Sequence, residues 1–275
     1  MRGNRIRGHG LAGYIVLSVF AVPTLFPIYV MLNMAGKDLF QYTLRPLLPT
    51  FPYHFENYLY AWQFLARSFF NNLVIIGVST TIVLLLASMT AYALARHSFP
   101  GKRFVFYAIL CVLAIPATVI MVPQFMLVVQ LGVVNTLFAV MLPYAAHQSL
   151  VIIVLYTSFS QLNESMFEAA RIDGAGHLRI FTTIVIPLSK PILAAMAIFE
   201  VWWLWNDYAW PSLVLSSARL RTVALQLVTF VDGMAIPQPG QEMAANVIAA
   251  LPIVLLFLFS MKTFISGITS GAVKL

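Results

Sequence analysis

The chain of 275 residues is 61% hydrophobic by residue type and only 9% charged. A soluble domain carries about 25% charged residues, so this chain cannot cover a water-soluble globule of its size, and its hydrophobicity excludes a disordered one. The net charge of +7 sits in short segments between apolar runs, with no basic stretch interleaved with aromatics, which points to loops beside an anionic membrane leaflet and away from nucleic acid.

Taken in chain order, Arg2, Arg5 and Arg7 precede a charge-free stretch from Leu11 to Gly36. A signal-peptide core runs to about 7–15 residues. This stretch is longer and has no small-x-small site after it, so it is expected to be an uncleaved first span. A helix crosses a bilayer in about 20 mostly apolar residues, and on that measure spans are expected at about 11–36, 69–95, 104–123, 136–159, 188–206 and 243–262. The third and fourth come from one charge-free stretch, Phe104 to Asn163, divided near Gln124 to Asn135, where Pro123, Gln124, Gln130, Gly132 and Asn135 cluster. The fifth is short, is interrupted by Glu200, and ends in Trp202, Trp203, Trp205, Tyr208 and Trp210, as an interfacial aromatic belt would. Pro116, Pro123, Pro143 and Pro252 are expected to kink the spans, which membranes tolerate. The whole reads as a single all-α transmembrane domain over 1–275.

Lysine and arginine fix the expected orientation. One side would carry eleven of them, Arg2, Arg5, Arg7, Arg96, Lys102, Arg103, Arg171, Arg179, Lys190, Lys262 and Lys274; the other would carry five, Lys37, Arg45, Arg67, Arg219 and Arg221. Both termini are therefore expected inside. The outer connections, 37–67 and 207–242, are rich in proline and aromatics and are expected to pack with short helices. Inside, 96–103 is a tight Pro-Gly turn, whereas 160–190 is long.

That inner loop has its own pattern. Ser165 followed by Glu168 fits a capping box, Ala169, Ala170 and Arg171 favour helix, and Gly174 and Gly176 supply a stop. A second apolar stretch, Leu178 to Ile186, runs to Pro187. The expectation is helix, glycine turn, helix across the inner face, with apolar surface that this chain does not cover. A partner protein is the simplest cover; an amphipathic pair lying in the interface is the alternative.

Glu168-Ala169-Ala170, Gly174, Ile184 and Pro187 follow the spacing E-A-A-x3-G-x9-I-x-L-P and resemble the EAA signature of ABC importer permeases, with Ile186 where the family usually has Leu. The wording of 168–175 and 187–191, the run Trp205-Asn206-Asp207-Tyr208 with Trp210-Pro211, the turn 96–103 and the tail 267–274 are similar to the carbohydrate branch, in particular its smaller maltose-type six-span subunit. The resemblance covers nearly the whole chain. It implies an ABC type I importer permease fold with six spans, both termini inside, and a coupling loop over 160–190. In such importers the EAA helix docks in a cleft of a cytoplasmic ATPase, a role that falls here on Glu168, Ala169, Ala170, Asp173 and Gly174, with Pro187 fixing the re-entry angle. The tail residues Gly271, Ala272, Val273 and Lys274 would touch the same ATPase. Partners implied are a second homologous permease subunit, two ATP-binding subunits, an extracytoplasmic sugar-binding protein and the lipid bilayer, in the plasma (inner) membrane of a prokaryote.

No G-x4-G-K-[ST] loop is present, so ATP and magnesium would be bound by the partner ATPases, not by this chain, which is expected to have no catalytic residue and no cofactor of its own. Glu200 lies about 14 Å along its helix from Pro191, near mid-depth, where a carboxyl faces a bundle interior or a wet cavity. Glu200, Trp205, Asn206, Asp207 and Tyr208 are the candidates for the translocation path or outer gate. The alternative is an ion-coupled secondary transporter that uses Glu200, but the chain has no inverted repeat and that reading leaves the inner loop unexplained. His147, with Gln148 and Ser149, reads as a packing cluster with a substrate contact as the alternative, Trp202, Trp203 and Trp205 read as interfacial anchors with stacking on sugar faces as the alternative, and no two of the histidines His9, His54, His97, His147 and His177 have the i, i+4 spacing of metal ligands.

Overall fold

The computed structural model describes residues 5–232 and 238–272, and the side chains of 13–230 and 238–261. Among the described residues every regular element is a helix. The contacts divide the expected single domain into two compact units, Met1–Ala66 with Leu227–Pro252, and Arg67–Gln226 with Ile253–Leu275.

In the first unit, α1 (Arg5–Ala35) contains a stretch long and apolar enough to cross a membrane, Gly13–Ala35. The segment after it is held by Lys37. Its ammonium is fully buried and donates to the carbonyls of Arg45 at 2.6 Å, Pro46 at 3.0 Å and Leu48 at 2.7 Å, so one cation closes a loop that contains the short helix α2 (Leu39–Leu44). Asn57 donates to the carbonyls of Ala35 and Lys37. Gly240 is the residue that fits against this knot, because a Cβ there would sit 2.0 Å from the Lys37 carbonyl oxygen. Phe230 packs edge-on against Tyr60 and Phe64.

The second expected span is part of a much longer helix, α3 (Glu56–Arg96), which starts well before residue 69. Proline-poor apolar sequence from Tyr58 onward gives the helix no reason to stop at Arg67, and charge alone does not break a helix. Likewise the last helix, α14 (Pro239–Ala272), exceeds 243–262 at both ends.

The other expected spans are bent pairs. The segment expected as one helix over 104–123 is α4 (Lys102–Leu113) and α5 (Ala117–Gln130), turned by 100°. Pro116 causes the break: it has no N–H and pushes Ile115 out of helical geometry. Next, α6 (Leu137–Ala146) and α7 (Ser149–Ser160) bend by 40° at His147 and Gln148. The third pair, 177–188 and α11 (Lys190–Asn206), bends by 77°. Pro123 and Pro252 lie inside continuous helices. Among the described residues three helices are thus long and apolar enough to cross a membrane alone, or up to six crossings result if each bent pair is one span. The turn between α5 and α6 uses Gly132 at φ 68° and Asn135 at φ 61°, both residue types that tolerate the left-handed region.

The core of the second unit is formed by the far end of α3 (Val83, Ala87, Ala91, Leu94), α7 (Val151, Leu155, Phe159), and the loop residues Phe167, Ile180, Phe181 and Val185. The loop 160–190 is therefore part of this core and not an appendage.

Candidate functional site

Two places in the second unit gather chemistry. The first is the loop beyond α7. Helix α8 (Glu164–Ile172) starts two residues earlier than a capping box at Ser165 would give. Its N-cap is Asn163, whose extended backbone lets its side-chain oxygen accept the Ser165 N–H and satisfy an orphan donor. Gly174 takes φ 74°, the left-handed turn expected of it. Gly176 does not: it is extended and caps α9 (His177–Ile180).

Beyond α9 the chain passes through one π-helical turn, Phe181–Val185, into α10 (Ile186–Leu188). The Ile186 N–H reaches back five residues to Phe181, which widens the helix just where Pro187 would clash with the carbonyl four residues before it. Pro187 accordingly sits within the helical path, and the bend comes later, at Ser189. There Pro191, at the start of α11, cannot continue the previous helix but suits a first turn.

Phe167 turns inward and is 1% exposed. The guanidinium of Arg96, the last residue of α3, lies 4.1 Å over its ring. Arg96 Nη1 donates to Glu164 Oε2 at 2.7 Å, and Nη2 donates to the carbonyls of Phe159 at 2.6 Å and Leu162 at 2.5 Å. Arg171 also meets Glu164, at 3.3 Å. Glu164, not Glu168, is thus the helix's ion-paired carboxylate. Glu168, Ala169, Asp173 and Gly174 are exposed and Ala170 is half-buried. With them Ile172 is 86% and Leu178 71% exposed; Leu178 begins the apolar stretch whose surface is expected to be left uncovered, and Ile172, not named from the sequence, joins it. Nearby, His97 packs edge-on against Tyr92 and His177, with ring centroids 5.3 and 4.6 Å away. Burial holds His97 below the ordinary imidazole value, and the charges of His177, Arg171 and Lys102 add to it.

The second place is a cleft of about 150 Å³ lined by α5, α6, α11 and α12 (Ala209–Val214). Asp207 ends α11, and its Oδ2 accepts the Tyr144 hydroxyl at 2.6 Å. Trp203 stands against Tyr144 and His147, centroids 5.6 and 5.3 Å away. Trp210 is buried, its indole N–H donating to the Ala139 carbonyl. Gln124 and Thr118 complete the polar lining.

Of the expected path residues, only Asp207 lines this cleft. Trp205 is buried edge-on against Phe69 and is no interfacial anchor. Asn206 donates to the Trp202 carbonyl, and Tyr208 is exposed. Glu200 is 5% exposed, on the face of α11 shared with Leu204 and Trp205, away from the apolar groove lined by Ile198, Phe199 and Trp202. Of the tail residues, Val273 and Lys274 lie outside the described residues, and Gly271 and Ala272 are described only as the backbone end of α14. Tyr144 and Gln124 have no sequence signal as site residues, since an aromatic or amide in an apolar run has no spacing that separates lining from packing, and Trp203, expected as an interfacial anchor with sugar stacking as the alternative, is the tryptophan of that run that lines the cleft with Trp210.

Residues 83–270 match the family described as binding-protein-dependent transport system inner membrane component. The melibiose/raffinose/stachyose import permease protein MelC of Bacillus subtilis is 35% identical over 94% of this chain and 95% of its own length. Among solved structures, a chain of a bacterial ABC transporter involved in the import of the acidic polysaccharide alginate shares the fold at a TM-score of 0.85 and 23% identity, over 96% of this chain and 99% of that one. A second, of a bacterial alginate ABC transporter in complex with an alginate pentasaccharide-bound periplasmic protein, gives a TM-score of 0.64 at 16% identity, over 94% and 96% of the two chains. The match extends from the core of α3 through the loop 160–190 to the last helix, and by it this chain belongs to the family of inner membrane components of binding-protein-dependent transport systems, the permease subunits of ABC importers.

Proposed function

We propose that the chain is one half of the translocation pathway of an ATP-driven importer for a sugar or sugar-like solute, in the plasma membrane of a prokaryote. It crosses the membrane six times, each bent pair serving as one crossing, with both termini inside. A second, homologous permease subunit completes the pathway, an extracytoplasmic binding protein delivers the solute, and two partner subunits bind ATP and magnesium. This chain holds no nucleotide and catalyses no reaction.

The observation that carries this reading is the construction of the loop 160–190. Its inner face is fixed in the core through Phe167, Ile180, Phe181 and Val185, while Glu168, Ala169, Ile172, Asp173, Gly174 and Leu178 stay exposed on the other. Exposed apolar side chains beside charged ones make a docking surface, and a helix fixed in the core moves the core when its docked partner moves. ATPase closure would thus be passed to α3 and α7, whose residues share that core, and the pathway would open alternately to each side. The bend at Ser189, with Pro191 in the first turn after it, sets how the loop re-enters the membrane, and the tail 271–274 adds a second contact with the ATPase. The name of the Bacillus relative and the polysaccharide of the structural neighbour both support a carbohydrate cargo. The ion-coupled alternative gains nothing from Glu200, which faces the packed side of its helix.

The experiment is purification of the tagged chain from native membranes in mild detergent, with mass spectrometry of its companions. An ATPase with a phosphate-binding loop and a second six-span protein are expected in stoichiometric amounts. A chain that purifies alone, and transports in liposomes under an ion gradient, would overturn the proposal.

A further inference from the structure

We propose that the cleft beside Asp207 is a subsite for one neutral sugar ring, so that this subunit contacts the solute directly and selects against acidic sugars. The inference rests on the importer reading above and names what its pathway accepts.

Helices in a membrane satisfy their polar side chains internally because lipid offers no partner. Among the described residues, the amide of Gln124, the hydroxyl of Thr118 and the imidazole of His147 make no hydrogen bond, and all three line this one cleft. The Asp207 carboxyl spends Oδ2 on Tyr144, while Oδ1 has only a long contact, 3.4 Å, from the Trp210 backbone N–H. The cleft therefore offers donors and acceptors that something from outside the chain must meet.

What meets them is narrowed by the rest of the lining. Trp203 and Tyr144 supply aromatic surface, and most of the wall is apolar. A sugar ring has that pair of properties: C–H groups that lie on an aromatic surface and hydroxyls that both donate and accept. The volume, about 150 Å³, is below the 300–1,000 Å³ typical of drug-sized ligand sites, so one ring is gripped and the remainder of a longer solute lies elsewhere. No lysine or arginine lines the cleft, and Asp207 does. A uronate or phosphate would thus meet a carboxyl and no cation, whereas a neutral hydroxyl finds an acceptor.

The position of the cleft agrees. Thr118 follows the 100° break between α4 and α5, His147 is the break between α6 and α7, and Asp207 ends α11. Interrupted membrane helices bring polar termini and side chains to a common depth, as at the binding sites of other transporters.

The test uses the purified complex, with its partner subunits and binding protein, reconstituted in liposomes with ATP. It is offered a mixture of neutral di- and trisaccharides and, separately, oligouronates of the same lengths, with the lumen read by mass spectrometry. A neutral sugar is expected to accumulate and oligouronates are not. Gln124→Leu and His147→Leu should each slow uptake at least tenfold in a complex that still assembles, and His147→Gln, which keeps a hydrogen-bonding group, should recover most of the loss. A leucine that merely faced lipid or packing would change nothing, so full uptake by both leucine variants overturns the subsite. Accumulation of an oligouronate, or of neither mixture by a complex that hydrolyses ATP, overturns it too while leaving the importer reading intact. Absence of an ATPase partner overturns that reading itself.

Discussion

Replacing Arg96 by methionine isolates the tie between α3 and the coupling helix, because methionine keeps the apolar stem and removes the fork. Two losses are large. The Nη2 bonds to the carbonyls of Phe159 and Leu162 involve a charged donor, of a kind worth about 1.5–3 kcal/mol each, and the stacking on Phe167 adds about 0.5–2 kcal/mol. The bond to Glu164 counts for less: that carboxylate is 51% exposed, and exposed pairs contribute roughly 0.2–1 kcal/mol. Removal of a charge from a site only 8% exposed returns part of this by relieving desolvation, so the net loss should be about 3 kcal/mol. Arg96→Lys should recover little, since a single-point ammonium cannot bridge the Glu164 carboxylate on one side and the Phe159 and Leu162 carbonyls on the other while lying flat on the Phe167 ring, and Glu164→Gln should cost no more than about 1 kcal/mol. The assay pairs thermal unfolding of the detergent-purified complex with its ratio of solute transported to ATP hydrolysed. Arg96→Met should lower the midpoint and that ratio together, as the docked helix loosens from α3. A lysine variant equal to the parent, or a methionine variant with unchanged coupling, would refute the mechanical role.

Three further outcomes follow from the same geometry. Gly174→Asp keeps a residue type that visits the left-handed region, and its Cβ meets open space; membrane insertion should be normal and uptake lost, and normal uptake would remove Gly174 from the ATPase contact. Lys37→Met leaves three carbonyls without their donor, a loss of about 2–4 kcal/mol, and should make 38–55 sensitive to protease added from outside; burial already pushes the Lys37 ammonium to a lower pKa, so unchanged digestion would mean the knot is not held by that cation. His97 is held below the unfolded imidazole value, about 6.5. The folded state then binds fewer protons than the unfolded one, and stability rises with pH. It is complete above about 6.5 and falls away as pH drops from there towards the lowered folded value; His97→Phe should flatten that acid limb in thermal unfolding, and an unaltered slope would refute the assignment.

What could be read from the residues follows the strength of the local physics. Long charge-free stretches announced α1 and α14, and the inner loop announced its helix and its turn at Gly174, whereas the re-entry expected at Pro187 comes at Ser189. The bends were harder. Pro116 and Pro143 are as visible as Pro123 and Pro252, yet Pro116 stands in the break before α5, Pro143 lies inside α6 about one turn before its end, and the other two sit inside unbroken helices. A proline removes one N–H anywhere, and whether the helix breaks depends on which neighbours can satisfy the freed carbonyl. That information is tertiary. The same applies to Glu164 and Glu168: both carboxylates suit a first turn, and only the arrival of Arg96 from α3 decides which is paired. The cleft was least legible, since Gln124, Tyr144 and Trp203 come from three helices and no spacing along the chain brings them together.

The broken helices link the two sites. An interrupted helix in lipid leaves backbone groups that packing, side chains or water must satisfy, at a cost of several kcal/mol for each group left bare. A chain that only needed to cross the membrane would avoid such breaks. In the second unit the break between α4 and α5 and the one between α6 and α7 border the cleft, through Thr118 and His147, and the bend at Ser189 lies between the coupling loop and α11, whose other end carries Trp203 and Asp207. Helix α11 thus runs from the loop's re-entry point to the cleft, and it packs against α7, which shares a core with Phe167. A rotation of the docked loop about the bend at Ser189 would be carried along α11 to the aromatic wall of the cleft without bending a continuous helix. On this argument the bend is the hinge through which ATPase closure alters the grip on the solute. Substituting Ser189 and Lys190 with alanine should leave docking intact, since neither belongs to the exposed surface of α8. If the substitutions stiffen the junction, stimulated ATP hydrolysis should persist while the rate of uptake falls.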